Sequence, residues 1–337
     1  MPQSEPPIVL YHYAYSPFAR RVVWYLHLRG IPYTQCLQPP ILPRPDLARL
    51  GIKYRRIPVL SIGRDVYLDT RLIIQKLEQL YPSVPNLGAS DAEQKAVERL
   101  LEHLSIDGGV FSAAMRLIPA DLPLLKDPKF QKDRADFTGE RLTRGDAAAL
   151  RPEAVNEIRL VMDLLETTLL ADGREWILKT DKPSLADIEA VWPLHWLAGM
   201  PGALPADQVS AERFPRVYGW IARFQKAASA AKAAQPKTPT VSGEQAQDII
   251  AKAPFNEEEG DVDVGDGLAT FHGLAKGRKV ALWPTDTGAN HKDVGRLVSL
   301  TPAEVVIEPE AEGVQVRLHA PRHGFRVRPA VEAAANL

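Results

Sequence analysis

Residues 11–22 read YHYAYSPFARRV, and the stretch changes character at its centre. With Ile8-Val9-Leu10 ahead of it, the first half reads as a strand of β-branched and aromatic residues. The second half reads as a helix, with Ser16 at the N-cap, Pro17 locked at the first helical position, and Ala19, Arg20 and Arg21 inside. Ser-Pro is ordinary helix-start chemistry and by itself requires only a cap. Whether the Ser16 hydroxyl is also a tool depends on what surrounds it.

The chain has 337 residues, long for one domain and suited to two or three. Its formal net charge of -1 provides no global basic field, so nucleic acid is not an expected partner. A single cysteine, Cys36, excludes an intrachain disulfide and points to a reducing compartment. No run of about 18 apolar residues is present to span a bilayer. The opening MPQSEPP has neither the basic start nor the apolar core of a signal peptide. The expectation is a cytoplasmic protein with no membrane span.

Working outward from the junction, residues 6–85 alternate strand and helix signals. IVLYHY leads to PFARRVVWYLHLRG, which Gly30 is placed to stop, and PYTQCLQ follows. After a Pro-rich loop come RIPVLSI, a turn at Gly63-Arg64, VYLD, and the helix TRLIIQKLEQLYP. The order β-α-β, connection, hairpin, helix predicts an α/β layer with both sheet faces covered. Residues 90–232 change to a helical period. Val97, Leu100, Leu101, Leu104 and Val110-Phe111 fall near helix spacing across 91–117, and further helices are expected over 153–170, 184–198 and 214–230. Residues 119–151 form a polar interruption, and the half as a whole reads as an all-α bundle. Residues 233–260 read as a linker. RKVALWP, GRLVSL, EVVIEP, GVQVRLH and FRVRP then predict a separate small β-barrel or β-sandwich over 256–330.

Four signals converge in the first 230 residues: Ser16-Pro17-Phe18-x-x-Arg21-Val22, Arg56-Ile57-Pro58-Val59-Leu60, Asp69-Thr70 opening a helix, and Lys182-Pro183-Ser184-Leu185-Ala186-Asp187-Ile188. In this order and spacing they resemble the cytosolic glutathione transferases, which join a thioredoxin-like domain to an all-helical one. The resemblance implies glutathione as co-substrate, a small electrophile as partner, and a homodimer. The β-rich extension is similar in kind to C-terminal additions found in some fungal relatives.

Resemblance places Ser16 beside the glutathione sulfur, where a hydroxyl donor and a helix start both favour thiolate over thiol. Tyr11, Tyr13 and Tyr15 crowd the same strand end and are alternative donors; alternation puts them on one face if the strand persists. By the same resemblance Pro58 is a cis-proline and the Ile57 backbone clamps the cysteinyl unit. Phe18, Lys53 and Arg56 complete the expected glutathione set, with the basic residues directed to the glycyl carboxylate. Asp69 would receive the ligand's ammonium and Thr70 its γ-glutamyl carboxylate, since a helix N-terminus favours an incoming anion. Simple N-capping by Asp69 or Thr70 is the alternative, and the two readings can coexist, since a cap needs only one acceptor oxygen.

An electrophile pocket is expected between the domains, walled by His103, Asp107, Phe111 and Met115 at four-residue intervals on one helix face. Ser184-x-x-Asp187 reads as a capping box that nucleates a buried helix. His272, His291, His319 and His323 are widely spaced and without companion cysteines, so no metal is expected. The expected activity is activation of the glutathione thiol and its addition to a small electrophile. A glutathione-dependent isomerase or lyase, and a non-catalytic binding or regulatory protein, are the alternatives.

Overall fold

The structure, a computed structural model, describes residues 6–81, 84–139, 149–311 and 313–330. The chain opens with β1 (Ile8–His12), α1 (Pro17–Arg29), β2 (Thr34–Leu37), a short α2 (Pro45–Ala48), β3 (Val59–Ile62), β4 (Asp65–Leu68) and α3 (Thr70–Leu80). β1 pairs parallel with β2 and antiparallel with β3, and β3 and β4 form the hairpin. Strand alternation divides their side chains between two cores. Ile8, Leu10, Leu60, Ile62 and Tyr67 join the core shared with α1, α3 and the helical half. Val9, Tyr11, Val59, Val66 and Leu68 face the opposite side.

The helical half contains α4 (Ala92–Ile106), α5 (Val110–Arg116), α6 (Pro123–Lys126), α7 (Pro128–Thr138), α8 (Arg151–Leu164), α9 (Leu185–Ala198) and α10 (Pro215–Ala233). The helix expected across 91–117 is broken. Gly109 adopts φ +96°, and α5 starts afresh beyond it. α8 runs into a π-turn at Leu165–Leu169, which turns Glu166 inward. Its carboxylate accepts from the Arg216 and Val217 amides at 3.0 and 2.9 Å, capping α10, where Phe214 offers no side-chain acceptor. Asp187 accepts from Ser184 N at 2.9 Å and Ser184 Oγ at 2.7 Å. It also receives Ile177 N and Trp220 Nε1, so the capping box is structural.

The C-terminal region departs from expectation. After α11 (Gly243–Lys252) and α12 (Gly267–His272) come β5 (Lys279–Pro284), β6 (Asp293–Leu300), β7 (Glu304–Pro309), β8 (Arg317–Pro321) and β9 (Phe325–Pro329). The β-rich region is there, but its strands continue the first sheet instead of closing a separate barrel or sandwich. β4 pairs parallel with β8, giving one nine-stranded sheet in the order β2-β1-β3-β4-β8-β7-β6-β5-β9. Val280, Leu282, Leu297, Ile307, Leu318 and Val327 share one core with Val9, Val59 and Val66. Without this region β4 would be an open edge, and that face of the sheet would keep only the cover given by Leu47, Leu50, Ile52 and Tyr54. A period-2 pattern identifies a strand but not its partner, which is why the sequence suggested a separate unit.

Residues 233–260 are likewise docked. Gln35 exchanges backbone bonds with Pro239 and Val241, while Arg64 N donates to Pro254 O at 3.1 Å. Gly63 (φ +58°) lets that segment approach, since a Cβ there would lie 2.4 Å from Pro254 O.

The seam between the old edge and the new strands is polar and buried. His319 Nε2 lies 2.8 Å from Asp65 Oδ1, and its Nδ1 lies 2.5 Å from Glu304 Oε1. Two acceptor-only partners require a proton on both ring nitrogens. Lys76 Nζ bridges Glu257 and Glu304 at 2.6 and 2.8 Å, and Tyr67 Oη donates to Glu257 at 2.6 Å.

Candidate active site

Ser16 caps α1 with extended backbone angles, its Oγ accepting from Ala19 N at 3.2 Å. Because the oxygen is the acceptor, the hydroxyl proton stays free to donate. The side chain is buried and lies at the positive end of a 13-residue helix.

The three tyrosines do not share a face, because the strand stops at His12. Tyr11 is fully enclosed in the core, and burial pushes its phenol far above its ordinary range. Tyr13 is half-buried; Tyr15 is exposed, its ring 4.8 Å from that of Tyr13. Phe18 turns toward the helical half, meeting Phe111 edge to face and Trp192 at a tilt, with ring centroids 4.7 Å apart in both cases.

Ile57-Pro58 is cis and buried at the start of β3. One strand further, the hairpin delivers Asp69 to the N-cap of α3 with φ +67°. Its Oδ1 accepts from Arg71 N at 3.0 Å and Arg71 Nε at 3.3 Å, leaving Oδ2 without a hydrogen bond among the described residues. Burial raises the Asp69 pKa, but Arg71, its amide and Arg56 outweigh that and hold the carboxyl below its ordinary range. Thr70 Oγ1 accepts from Arg21 Nη1 at 2.6 Å, so its own proton is available to a ligand at the helix start. Arg21 is fully buried and also pairs with Glu102 at 3.3 Å and with Glu189. It positions Thr70 from beneath. Its place in the Ser-Pro-Phe-x-x-Arg-Val run was visible in the sequence; its partner was not.

The basic residues divide. Lys53 has an exposed side chain, while its amide donates to Asp293 Oδ1 at 2.6 Å; Tyr54 N donates to the same oxygen at 3.3 Å. Burial pushes the Asp293 carboxyl up to about 7, against the pull of those amides. Arg55 pairs with Asp133 at 2.8 Å and with Asp136, both on α7. Arg56 pairs with Asp286 and donates through Nε and Nη2 to Thr287 O at 2.9 and 2.8 Å. Nothing in the sequence signalled that residues 285–292, beyond the helical half, would reach this place.

The expected electrophile wall is divided by the break at Gly109. His103 and Asp107 belong to the end of α4, Phe111 and Met115 to α5, so their four-residue spacing does not define one face. Asp107 Oδ2 instead gathers Arg71 Nη1 at 2.8 Å, His103 Nδ1 at 3.1 Å and His323 Nε2 at 3.1 Å. Phe111 belongs to the aromatic cluster with Phe18, Trp192 and Trp196, and Met115 is exposed. Glu257, Glu304 and His319 bring ligand-type atoms within 4.8 Å of one another. Lys76 and the doubly bonded imidazole already satisfy them.

Residues 10–86 match the family described as "Glutathione S-transferase, N-terminal domain", and residues 113–233 match "Domain of unknown function (DUF7962)". Among curated proteins, Glutathione S-transferase U1 of Arabidopsis thaliana is 30% identical over 99 residues, 29% of this chain and 44% of that one. Glutathione transferase GST 23 of Zea mays is 23% identical over 221 residues, 66% of this chain and 86% of that one. The chain thus spans less than half the length of the first of these relatives. A GST-like protein from Pseudomonas syringae superposes with a TM-score of 0.71 at 24% identity, covering 96% of this chain and all of that one. A β-etherase from Sphingobium superposes with a TM-score of 0.53 at 16% identity over 67% of this chain and 98% of that one. The first likeness extends through the C-terminal strands, so the fold of the extension has a counterpart. No helix among the described residues is long and apolar enough to cross a membrane.

Proposed function

We propose that this chain, whose residues 10–86 match the glutathione S-transferase N-terminal domain, is a glutathione transferase-like protein that binds glutathione at the edge formed by α1, β3 and α3 and adds the activated thiolate to a small electrophile. The observation that carries the reading is the start of α3. There Asp69 keeps one carboxylate oxygen open for an ammonium, and Thr70, its oxygen taken by Arg21, keeps a proton for a carboxylate. A γ-glutamyl group offers both charges on one carbon, and the free amides of a helix start add to the carboxylate's side. The Ile57 backbone, turned by the cis-proline, is the clamp for the cysteinyl unit. Ser16, with a free hydroxyl proton at a helix N-terminus, donates to the sulfur and lowers its pKa, so the peptide becomes the nucleophile. The same reading makes the protein a homodimer in a reducing cytoplasm, which its one free, buried cysteine suits; sedimentation tests the dimer.

Calorimetry with glutathione and turnover of a model electrophile test the proposal together. Ser16→Ala should leave binding within a few-fold, raise the pKa governing the rate, and lower turnover by roughly 10- to 1,000-fold, the upper end being the loss of one oxyanion donor. An unchanged pH–rate profile would pass the role to Tyr13 or Tyr15. Glutathione binding without turnover of conjugation substrates would favour an isomerase, a lyase or a binding protein.

A further inference from the structure

Beneath the start of α3 one buried guanidinium serves three partners. Arg21, on α1, is fully buried and donates through Nη1 to Thr70 Oγ1 at 2.6 Å. Its Nη2 meets Glu102 of α4 at 3.3 Å and pairs with Glu189 of α9. Glu189 is 1% exposed, on a helix buried along most of its length, so its carboxyl is cut off from bulk water. Glu189 Oε1 and Arg21 Nε have no hydrogen-bond partner among the described residues.

The surroundings of Glu189 disfavour its charge. Burial lifts the carboxyl from its ordinary 4.5 up to about 7; Arg21 opposes the rise, while Glu102 and Glu98 of α4 add to it. Arg71 of α3 is the next cation. It feels Glu102, but is itself paired with Asp69 at 3.3 Å and with Asp107 at 2.8 Å. Among the described residues Arg21 is thus the one cation in contact with Glu189, and the same guanidinium holds Thr70.

A ligand carboxylate accepting from Thr70 Oγ1 at about 2.7 Å lies within about 5 Å of Arg21 Nη1. It adds a third negative group around one guanidinium, where charges are poorly screened. Of the three, Glu189 has the least outside support, so it is the group that gains by becoming neutral. We propose that Glu189 is a positioning residue that couples occupation of the Thr70 site to uptake of a proton, its neutral form leaving the Arg21 charge to the bound carboxylate. The proton comes from solvent and ends on a Glu189 oxygen. The inference rests on the glutathione reading above and extends it into the helical half, to which α9 belongs.

The test is calorimetry of the full-length protein and of Glu189→Gln with S-methylglutathione, whose capped sulfur has no proton to lose. Heats measured near pH 7.5 in buffers of different ionisation enthalpy give the protons taken up per ligand. A second anion around the same guanidinium raises a carboxyl pKa by roughly one unit, so the parent should take up about half a proton and Glu189→Gln far less. His103 and His323, each 3.1 Å from Asp107, are left in place by the substitution. Equal uptake by both proteins would assign the proton to another group and overturn the inference, as would binding by the parent without uptake. Since glutamine at a buried site can cost stability, the parent is also read alone. Its infrared difference spectrum on binding should gain a protonated-carboxyl band, which a histidine does not give, and a spectrum without that band refutes the coupling. If neither glutathione nor S-methylglutathione binds the parent, the glutathione reading itself falls, and the coupling with it.

Discussion

Replacing His319 with glutamine should loosen the whole sheet, because His319 fastens its first four strands to its last five. The imidazolium donates to Asp65 at 2.8 Å and to Glu304 at 2.5 Å, and it is almost completely buried. Burial alone would lower its pKa, but the two carboxylates outweigh that and raise it above its ordinary 6.5. Glutamine keeps one donor group and removes the charge, leaving Asp65, also buried, without its counter-ion. Breaking one side of such a pair costs about 3–5 kcal/mol. At about 2.1 cal/mol/K per residue, 337 residues give an unfolding entropy of roughly 0.7 kcal/mol/K, so Tm should fall by about 4–7 °C if the sheet unfolds as one unit. The pH dependence has a definite sign. A raised histidine pKa contributes stability that is complete below about 6.5 and is lost as pH climbs through the folded value. The lowered pKa values of Asp65 and Glu304 contribute stability above their ordinary values, lost as pH falls through the folded ones. Scanning calorimetry from pH 5 to 10 should therefore show the gap between parent and His319→Gln narrowing on the alkaline side. A Tm change under 1 °C at pH 6, or a gap constant with pH, would refute the ionic reading of the seam.

Two further outcomes follow from the shared core and from Asp293. A chain ending after Lys232 should be insoluble or bind hydrophobic dye strongly, because it bares the β4 edge and strips part of the cover from the core around Val66 and Leu68; a soluble fragment that binds glutathione would show that the N-terminal sheet stands alone. Asp293→Asn keeps an acceptor for the Lys53 and Tyr54 amides and removes a carboxyl held near 7 against an ordinary 3.8. Between those values the folded state holds the extra proton, so this group's contribution to stability falls as pH rises. The variant should match or exceed the parent's Tm at pH 8, and a clear loss there would show that the ionised carboxylate is required.

The first 230 residues were legible because their signals are local. Ser16-Pro17 starts a helix, Pro58 starts a strand, Asp69-Thr70 caps α3 and Ser184-x-x-Asp187 caps α9, each within a few residues of chain. Alternation likewise marked the C-terminal segments as strands. What the sequence could not carry was which edge they would join, since a strand's hydrogen bonds are the same for any partner and register. The break at Gly109 and the π-turn at Leu165–Leu169 were hidden as well, because apolar spacing continues across both. The corner around Arg56 lay furthest from reach. Asp286 is 230 positions from the arginine it neutralises, and only the closing of one sheet from both ends of the chain brings the two together.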